Sequence, residues 1–331
     1  MSDIKNKSEN NSLNILKFLA CFFIVGSHCA PLFKTERLNY YYCQWFFRFC
    51  VPLFFITTGY YFIKMSNEKR KSYIKRILII YVVSTIFYLP LLIKNSYNLS
   101  NILTFIFFGY HHLWYIISLF YALLVLYFIY KKRDFIVKRH IYVVIAVLIV
   151  IGAYLDEYYK IFNIKCLNNV YLFFTKYLFG GRNFIFFAIP MLLIGMIISK
   201  NSDKIQRKKN STIVIMTIVS FAIFLAETYY LRHNIEGIIS NDITLFNYFP
   251  AIYLFILCTK IKLCTKLNTK PLRRISDIIY IVHPLIIYEL TTKLNIYYIK
   301  LFILSFNLSL IFSIIIYIFI NKTKKLLRFN S

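Results

Sequence analysis

Lysine and histidine are costly inside an apolar run, and the stretch LNILKFLACFFIVGSHCAP holds one of each, Lys17 and His28. Ionisable groups at membrane depth cost a few kcal/mol, which makes each a candidate for function. The two are eleven residues apart, so on a helix they share one face, turned by about 20°, with a rise of roughly 16 Å between them. A cation at one end and an imidazole at the other match an acyl-CoA, phosphates towards the lysine and thioester towards the ring. A second reading has Lys17 snorkelling to lipid headgroups while His28 packs against a neighbouring helix through one hydrogen bond.

Other polar groups sit where hydrocarbon is expected. Arg48 lies inside CQWFFRFCVPLFFITTGYYF, where Pro52 and Gly59 are expected to loosen a helix and Thr57 and Thr58 to bond freed carbonyls. A kinked span with a salt-bridged arginine explains Arg48 as well as a site role does. His111, His112 and Trp114 open a later apolar run, Arg182 and Asn183 open another, and Glu227, Asp277, His283 and Glu289 lie within two more. No phosphate-binding glycine loop, His-Glu-x-x-His or Gly-x-Ser-x-Gly pattern occurs. The acidic and histidine residues lack ligand spacing and the seven cysteines show no Cys-x-x-Cys, so no metal site is expected.

Membrane helices are the elements that must hold these groups. The chain is 59% hydrophobic, with 34 Phe and 29 Tyr, more apolar surface than a soluble domain of this size requires. A net charge of +27 suggests nucleic acid at first. Yet the basic residues form short clusters between apolar runs, as flanking anchors do, and a nucleic-acid partner is not expected. About twenty apolar residues cross a bilayer. Runs of that kind fall near 13–33, 44–64, 74–93, 111–130, 139–155, 183–200, 211–231, 245–260, 275–292 and 298–320. The lysines and arginines concentrate in alternate connections, around 64–76, 131–139, 200–209, 260–274 and 322–328, which predicts an even number of spans with both termini in the cytoplasm. The expected fold is thus an all-α polytopic bundle of about ten transmembrane helices in a single domain, 1–331. A polar cytoplasmic N-terminus covers 1–12 and a basic cytoplasmic tail 321–331. Residues 1–12 carry no cleavable signal, so the first run is expected to remain as a span. The stretch YLFFTKYLF in 156–182 is read as lying along the interface.

The paired Lys17 and His28, followed by RFCVPLFFITTGYYF, resemble the opening of the acyltransferase family 3 membrane proteins. In that family a basic residue, usually arginine, and a histidine have ten residues between them in the first span, and an Arg-Phe-x-Val-Pro-x-Phe-Phe-x-x-Ser-Gly-Tyr stretch forms the second. Lys17 stands where arginine is usual and Thr58 where serine is usual. HLWYIISLFYALLV, GRNFIFFAIPMLLIG, YFPAIYLF and RRISDIIYIVHPLII resemble later landmarks. The last three are also similar to the membrane domain of membrane-bound serine racemases, whose racemase domain is expected to be absent because the chain ends soon after the tenth span.

The resemblance implies a multi-pass protein of the bacterial cell membrane that transfers an acyl group, usually acetyl, from acyl-CoA to a hydroxyl of an envelope polysaccharide or a small metabolite. It implies that acetyl-CoA serves as donor substrate, with no tightly bound cofactor. His28 would be the catalytic base, while Lys17 and Arg48 would bind donor phosphates or steady developing oxyanion charge. Thr58, His112, Trp114, Arg182, Asn183 and His283 would line the substrate cavity. A competing reading is a transporter or binding protein for a small amino acid such as serine, since buried charges and Pro/Gly-broken helices also suit a pathway. A scaffold without chemistry leaves the shared face of Lys17 and His28 unexplained.

Overall fold

A computed structural model describes residues 10–94, 98–130, 140–162, 164–178, 180–235, 243–261 and 268–329. The first nine residues of the N-terminus, the basic cluster 131–139, Lys262 and Lys266, and the last two residues of the tail lie outside them. The described residues are helical and contain no strand. In chain order the helices are α1 (Asn11–His28), α2 (Glu36–Phe47), α3 (Cys50–Phe62), α4 (Asn67–Lys94), α5 (Leu99–Phe108), α6 (Trp114–Tyr130) and α7 (His140–Ala153). They continue with α8 (Tyr159–Phe162), α9 (Asn168–Leu178), α10 (Ile189–Lys200), α11 (Ser202–Arg207), α12 (Asn210–Asn234), α13 (Tyr248–Lys260), α14 (Lys270–Leu294) and α15 (Tyr298–Phe329).

Among the described residues six helical stretches are long and apolar enough to cross a membrane: Asn67–Lys94, His111–Ile129, His140–Phe162, Asn210–Asn234, Lys270–Leu294 and Tyr298–Thr323. Each coincides with one of the ten apolar runs. The other four runs give shorter, broken or more polar helices, each with a local cause. Polar Asn11, Ser12, Asn14, Lys17 and His28 dilute α1. The run 44–64 splits at Arg48 and Phe49, which form a turn between α2 and α3. Pro52 explains the break: in a continuous helix its ring would meet the carbonyl of Arg48, whereas in the first turn of α3 its missing N–H costs nothing. Run 183–200 opens with a π-helical turn, Phe184–Ala188, before α10. Run 245–260 yields only α13.

The described chain divides into two compact units, one of the two chain ends up to Cys43 and from Phe255, the other Gln44–Leu254. In the first, α1, α14 and α15 pack together. Asn10 caps α1, accepting from the Leu13 N–H at 3.3 Å, and its amide donates to the Cys258 carbonyl at 3.0 Å. Phe22 meets Phe302 and Phe306 of α15 at ring separations of 4.7 and 4.8 Å. Ser305, Ser309 and Ser313 repeat every fourth residue along α15 with no exposure, the small-residue spacing that lets helix backbones approach in a membrane.

In the second unit α3 and α10 cross closely. A Cβ at Gly59 would sit 2.1 Å from the Leu192 carbonyl oxygen, and one at Gly195 equally near that of Ile56. Gly59 therefore serves close backbone approach, not the loosening expected of it. Thr57 and Thr58 donate to the Leu53 and Phe54 carbonyls at 2.7 and 2.9 Å, four residues back in the intact ladder, so they do not rescue the carbonyl freed by Pro52. Arg70, read from sequence as a flanking charge, is buried and closes the end of α3. It donates to the carbonyls of Phe62 at 3.1 Å and Ile63 at 2.8 Å, a cation placed on a helix C-terminus.

Candidate active site

In the first unit α1 and α14 run parallel and in register. The Asn14 amide donates to the Thr269 hydroxyl at 3.0 Å, the Cys21 thiol to the Ser276 carbonyl at 3.4 Å, and the His28 and His283 rings lie 5.1 Å apart, tilted by 54°. Each rung is seven residues from the next on both helices, the heptad interval that keeps a parallel seam in phase. The ladder begins at the helix N-termini, where Thr269 also donates to Asn11 Oδ1 at 2.8 Å. It ends at the imidazole pair.

His28 is the last residue of α1 and its side chain is exposed, while His283 is 0% exposed. Nδ1 of His283 sits 2.9 Å from the Ile279 carbonyl. A carbonyl only accepts, so that nitrogen carries the proton in the neutral ring. Three turns below His28, Lys17 is half-buried and lies in the fields of Asp277, which opposes its charge, and Arg273, which repeats it. The sequence locates Asp277 in a span but gives it no partner. Its signal was the heptad itself, since Thr269, Ser276 and His283 repeat the interval of Asn14, Cys21 and His28.

The second unit holds the remaining candidates, so the two residues expected to be catalytic, His28 and Arg48, belong to different units. Arg48 is half-buried in the turn before α3, and Thr58 is half-buried with its hydroxyl on Phe54. His112 is 1% exposed, and its ring meets that of Tyr88 edge-on at 5.0 Å. It is turned inward by its neighbours: Gly109 has φ 96° and His111 φ 46°, left-handed backbone that lets the chain reverse into the short 3-10 turn His111–Leu113. A Cβ at Gly109 would lie 2.4 Å from the Trp114 nitrogen. Trp114 packs on Phe187, whose ring also meets Phe55 and Tyr248, all at 5.7 Å.

Arg182 is half-buried and Asn183 is 4% exposed. The Asn183 oxygen accepts the N–H groups of Ile185 at 2.9 Å and Phe186 at 3.0 Å, and its amide donates to the Gly180 carbonyl at 2.8 Å. It is the cap that starts the π turn. A second π turn, Tyr154–Tyr158, interrupts the helix carrying Asp156 and Glu157; the extra residue in such turns re-aims side chains. From it Tyr158 donates to Glu227 at 2.7 Å, and Glu227 also accepts the N–H groups of Leu245 at 2.6 Å and Phe246 at 3.0 Å. Glu227 thus fastens the approach to α13. Asp156 does the same one step earlier, accepting the Ile243 N–H at 3.0 Å. Among the described residues no group of three or more histidine, cysteine or acidic side chains is placed to hold a metal ion.

Described residues that are helical throughout their regular structure, with several helices of membrane length, mark a membrane protein. Its family is shown by comparison: residues 10–320 match the acyltransferase 3 domain, so the chain belongs to that family. Among curated proteins it is 30% identical over 241 residues to an amino-acid racemase of Enterococcus faecalis, covering 69% of this chain and 33% of that protein. Another amino-acid racemase of Enterococcus faecalis is 27% identical over 85% of this chain and 41% of its own length. A serine/alanine racemase of Enterococcus gallinarum is 23% identical over 83% of this chain and 40% of its own. The chain therefore spans about a third to two fifths of the curated relatives it matches. No solved structure matches it significantly.

Proposed function

We propose that this protein is an O-acyltransferase of the bacterial cell membrane that moves an acyl group, acetyl in the first instance, from cytoplasmic acyl-CoA to a hydroxyl. The acceptor is an envelope polysaccharide or a small extracytoplasmic molecule. The observation that carries this reading is the polar seam of α1 and α14, with Lys17 part-way along it and the exposed His28 at its end. In this reading all ten apolar runs enter the membrane, the four short or broken ones inside the protein's own packing, and both termini face the cytoplasm, the orientation that the loop charges favour.

Lys17 then lies towards the donor's compartment. It binds the phosphates of acyl-CoA; Arg48, in the other unit, is assigned to the donor phosphates or to the oxyanion formed at the thioester carbon. His28 takes the proton from the acceptor hydroxyl as its oxygen bonds to the acyl carbon, the carbon–sulfur bond breaks, and the same proton passes to the departing thiolate. Within the second unit Thr58, His112, Trp114, Arg182 and Asn183 serve the substrate cavity, Asn183 chiefly by fixing the backbone around it, and within the first His283 stands beside His28. Membranes supplied with labelled acetyl-CoA should transfer label to an envelope glycan, and His28→Ala should abolish this at unchanged protein level. Undiminished transfer by that variant removes His28 as the base.

The named relatives favour one second reading, that the chain binds or carries a small amino acid such as serine, because the matched part is a minor share of racemases acting on amino acids. Uptake of labelled serine into vesicles, indifferent to acetyl-CoA, would select it.

A further inference from the structure

We infer that His283 is a positioning residue for His28: the heptad seam of α1 and α14 sets the two imidazoles side by side so that the buried ring fixes the orientation and tautomer of the exposed one. The inference rests on the acyl-transfer reading and extends it to a residue otherwise assigned only to the cavity wall.

Three observations converge on the pair. The register is set by the Asn14–Thr269 and Cys21–Ser276 rungs, one helical repeat of about 10 Å apart along the axis, so the ring contact follows from the packing of the whole seam. His283 has no exposure, and the Ile279 carbonyl holds the proton on its Nδ1, which makes Nε2 the accepting nitrogen of the neutral ring. The ring centroids stand 5.1 Å apart, a separation that rotation of the exposed His28 ring can turn into a nitrogen–nitrogen contact of hydrogen-bonding length. When His28 donates its N–H towards Nε2 of His283, its second nitrogen presents a lone pair to the acceptor hydroxyl. When His28 takes that proton, the neutral partner accepts from the imidazolium. A second charge beside the imidazolium is costly, above all on a ring with no exposure, so the buried ring stays neutral through the cycle.

The two nitrogens of His283 have different jobs, and two substitutions separate them. His283→Asn keeps an amide near Nδ1 for the Ile279 carbonyl and removes the polar atom at Nε2, whereas His283→Gln keeps a polar atom near Nε2. In purified protein reconstituted with labelled acetyl-CoA, His283→Asn is expected to lower kcat by about 10- to 100-fold, the scale seen when the partner orienting a functional imidazole is removed, with KM for acetyl-CoA unchanged. His283→Gln should restore kcat to within about fivefold of the unmodified protein. Transfer that needs His28 but is untouched by His283→Asn overturns the inference alone, as does an equal loss with Asn and Gln. Absence of transfer by the unmodified protein overturns the acyl-transfer reading, and this inference with it.

Discussion

Replacing Gly195 by alanine adds one methyl group at the α3–α10 crossing and should cost far more than a methyl usually does. Its Cβ would stand 2.1 Å from the Ile56 carbonyl oxygen and 2.9 Å from the Tyr60 nitrogen, and neither atom can rotate away because both are helix backbone. Normal contact requires the helices to part by roughly 1 Å. A gap of that size forfeits about a quarter to a half of each pairwise dispersion contact along the seam, and overpacking of this kind costs about 1–3 kcal/mol. Melting in detergent, followed by the loss of monodisperse protein on heating, should fall by several degrees. Ile86→Ala is the control, because that side chain is 63% exposed on α4 and supports no such crossing. Gly59→Ala, against the Leu192 carbonyl of the same interface, should show a similar fall, and the double variant less than the sum because one separation relieves both clashes. Melting of Gly195→Ala indistinguishable from that of Ile86→Ala would refute the close crossing.

Glu227→Gln should destabilise the protein by about 1–3 kcal/mol, because a carboxamide has one accepting oxygen for the three donors that converge on Glu227 and turns an N–H towards another. Limited proteolysis before α13 should accelerate, and cleavage unchanged from the unmodified protein would show that Glu227 does not fasten that segment. At Lys17, methionine should raise KM for acetyl-CoA about 10- to 100-fold, the worth of one charged hydrogen bond, while arginine should lower it or leave it unchanged through its bidentate fork. An unaltered KM in Lys17→Met would take Lys17 out of donor binding.

Much of the fold was legible because its signals are local. The six membrane-length helices follow from continuous apolar length, and Lys17 and His28 share α1 because both lie on one uninterrupted helix. What the residues did not disclose was pairing. Asp277 and His283 could be placed in a span, but their neighbours on α1 depend on two helices meeting 255 residues apart in sequence. Glu227 looked like an ionisable group in hydrocarbon and proves to be a carboxylate whose oxygens hold the backbone ahead of α13. Likewise Arg70 carried the charge of an anchor, and only the fold shows that charge spent on the carbonyls ending α3.

The apolar runs that did not become long helices are the ones holding most of the candidate residues. Lys17 and His28 lie on the polar-diluted α1, Arg48 in the break before α3, and Asn183 at the π turn before α10. A lipid-facing helix must satisfy every backbone group internally, so irregular backbone at membrane depth survives only where protein or a cavity surrounds it. Breaks therefore mark interior positions, and the interior is where an imidazole, a guanidinium or a capping amide finds polar partners. On that logic the turn before α3 and the π turn before α10 give up continuous hydrogen bonding so that polar side chains can be placed in the protein interior, whereas α1 stays unbroken and is limited by its own polar residues.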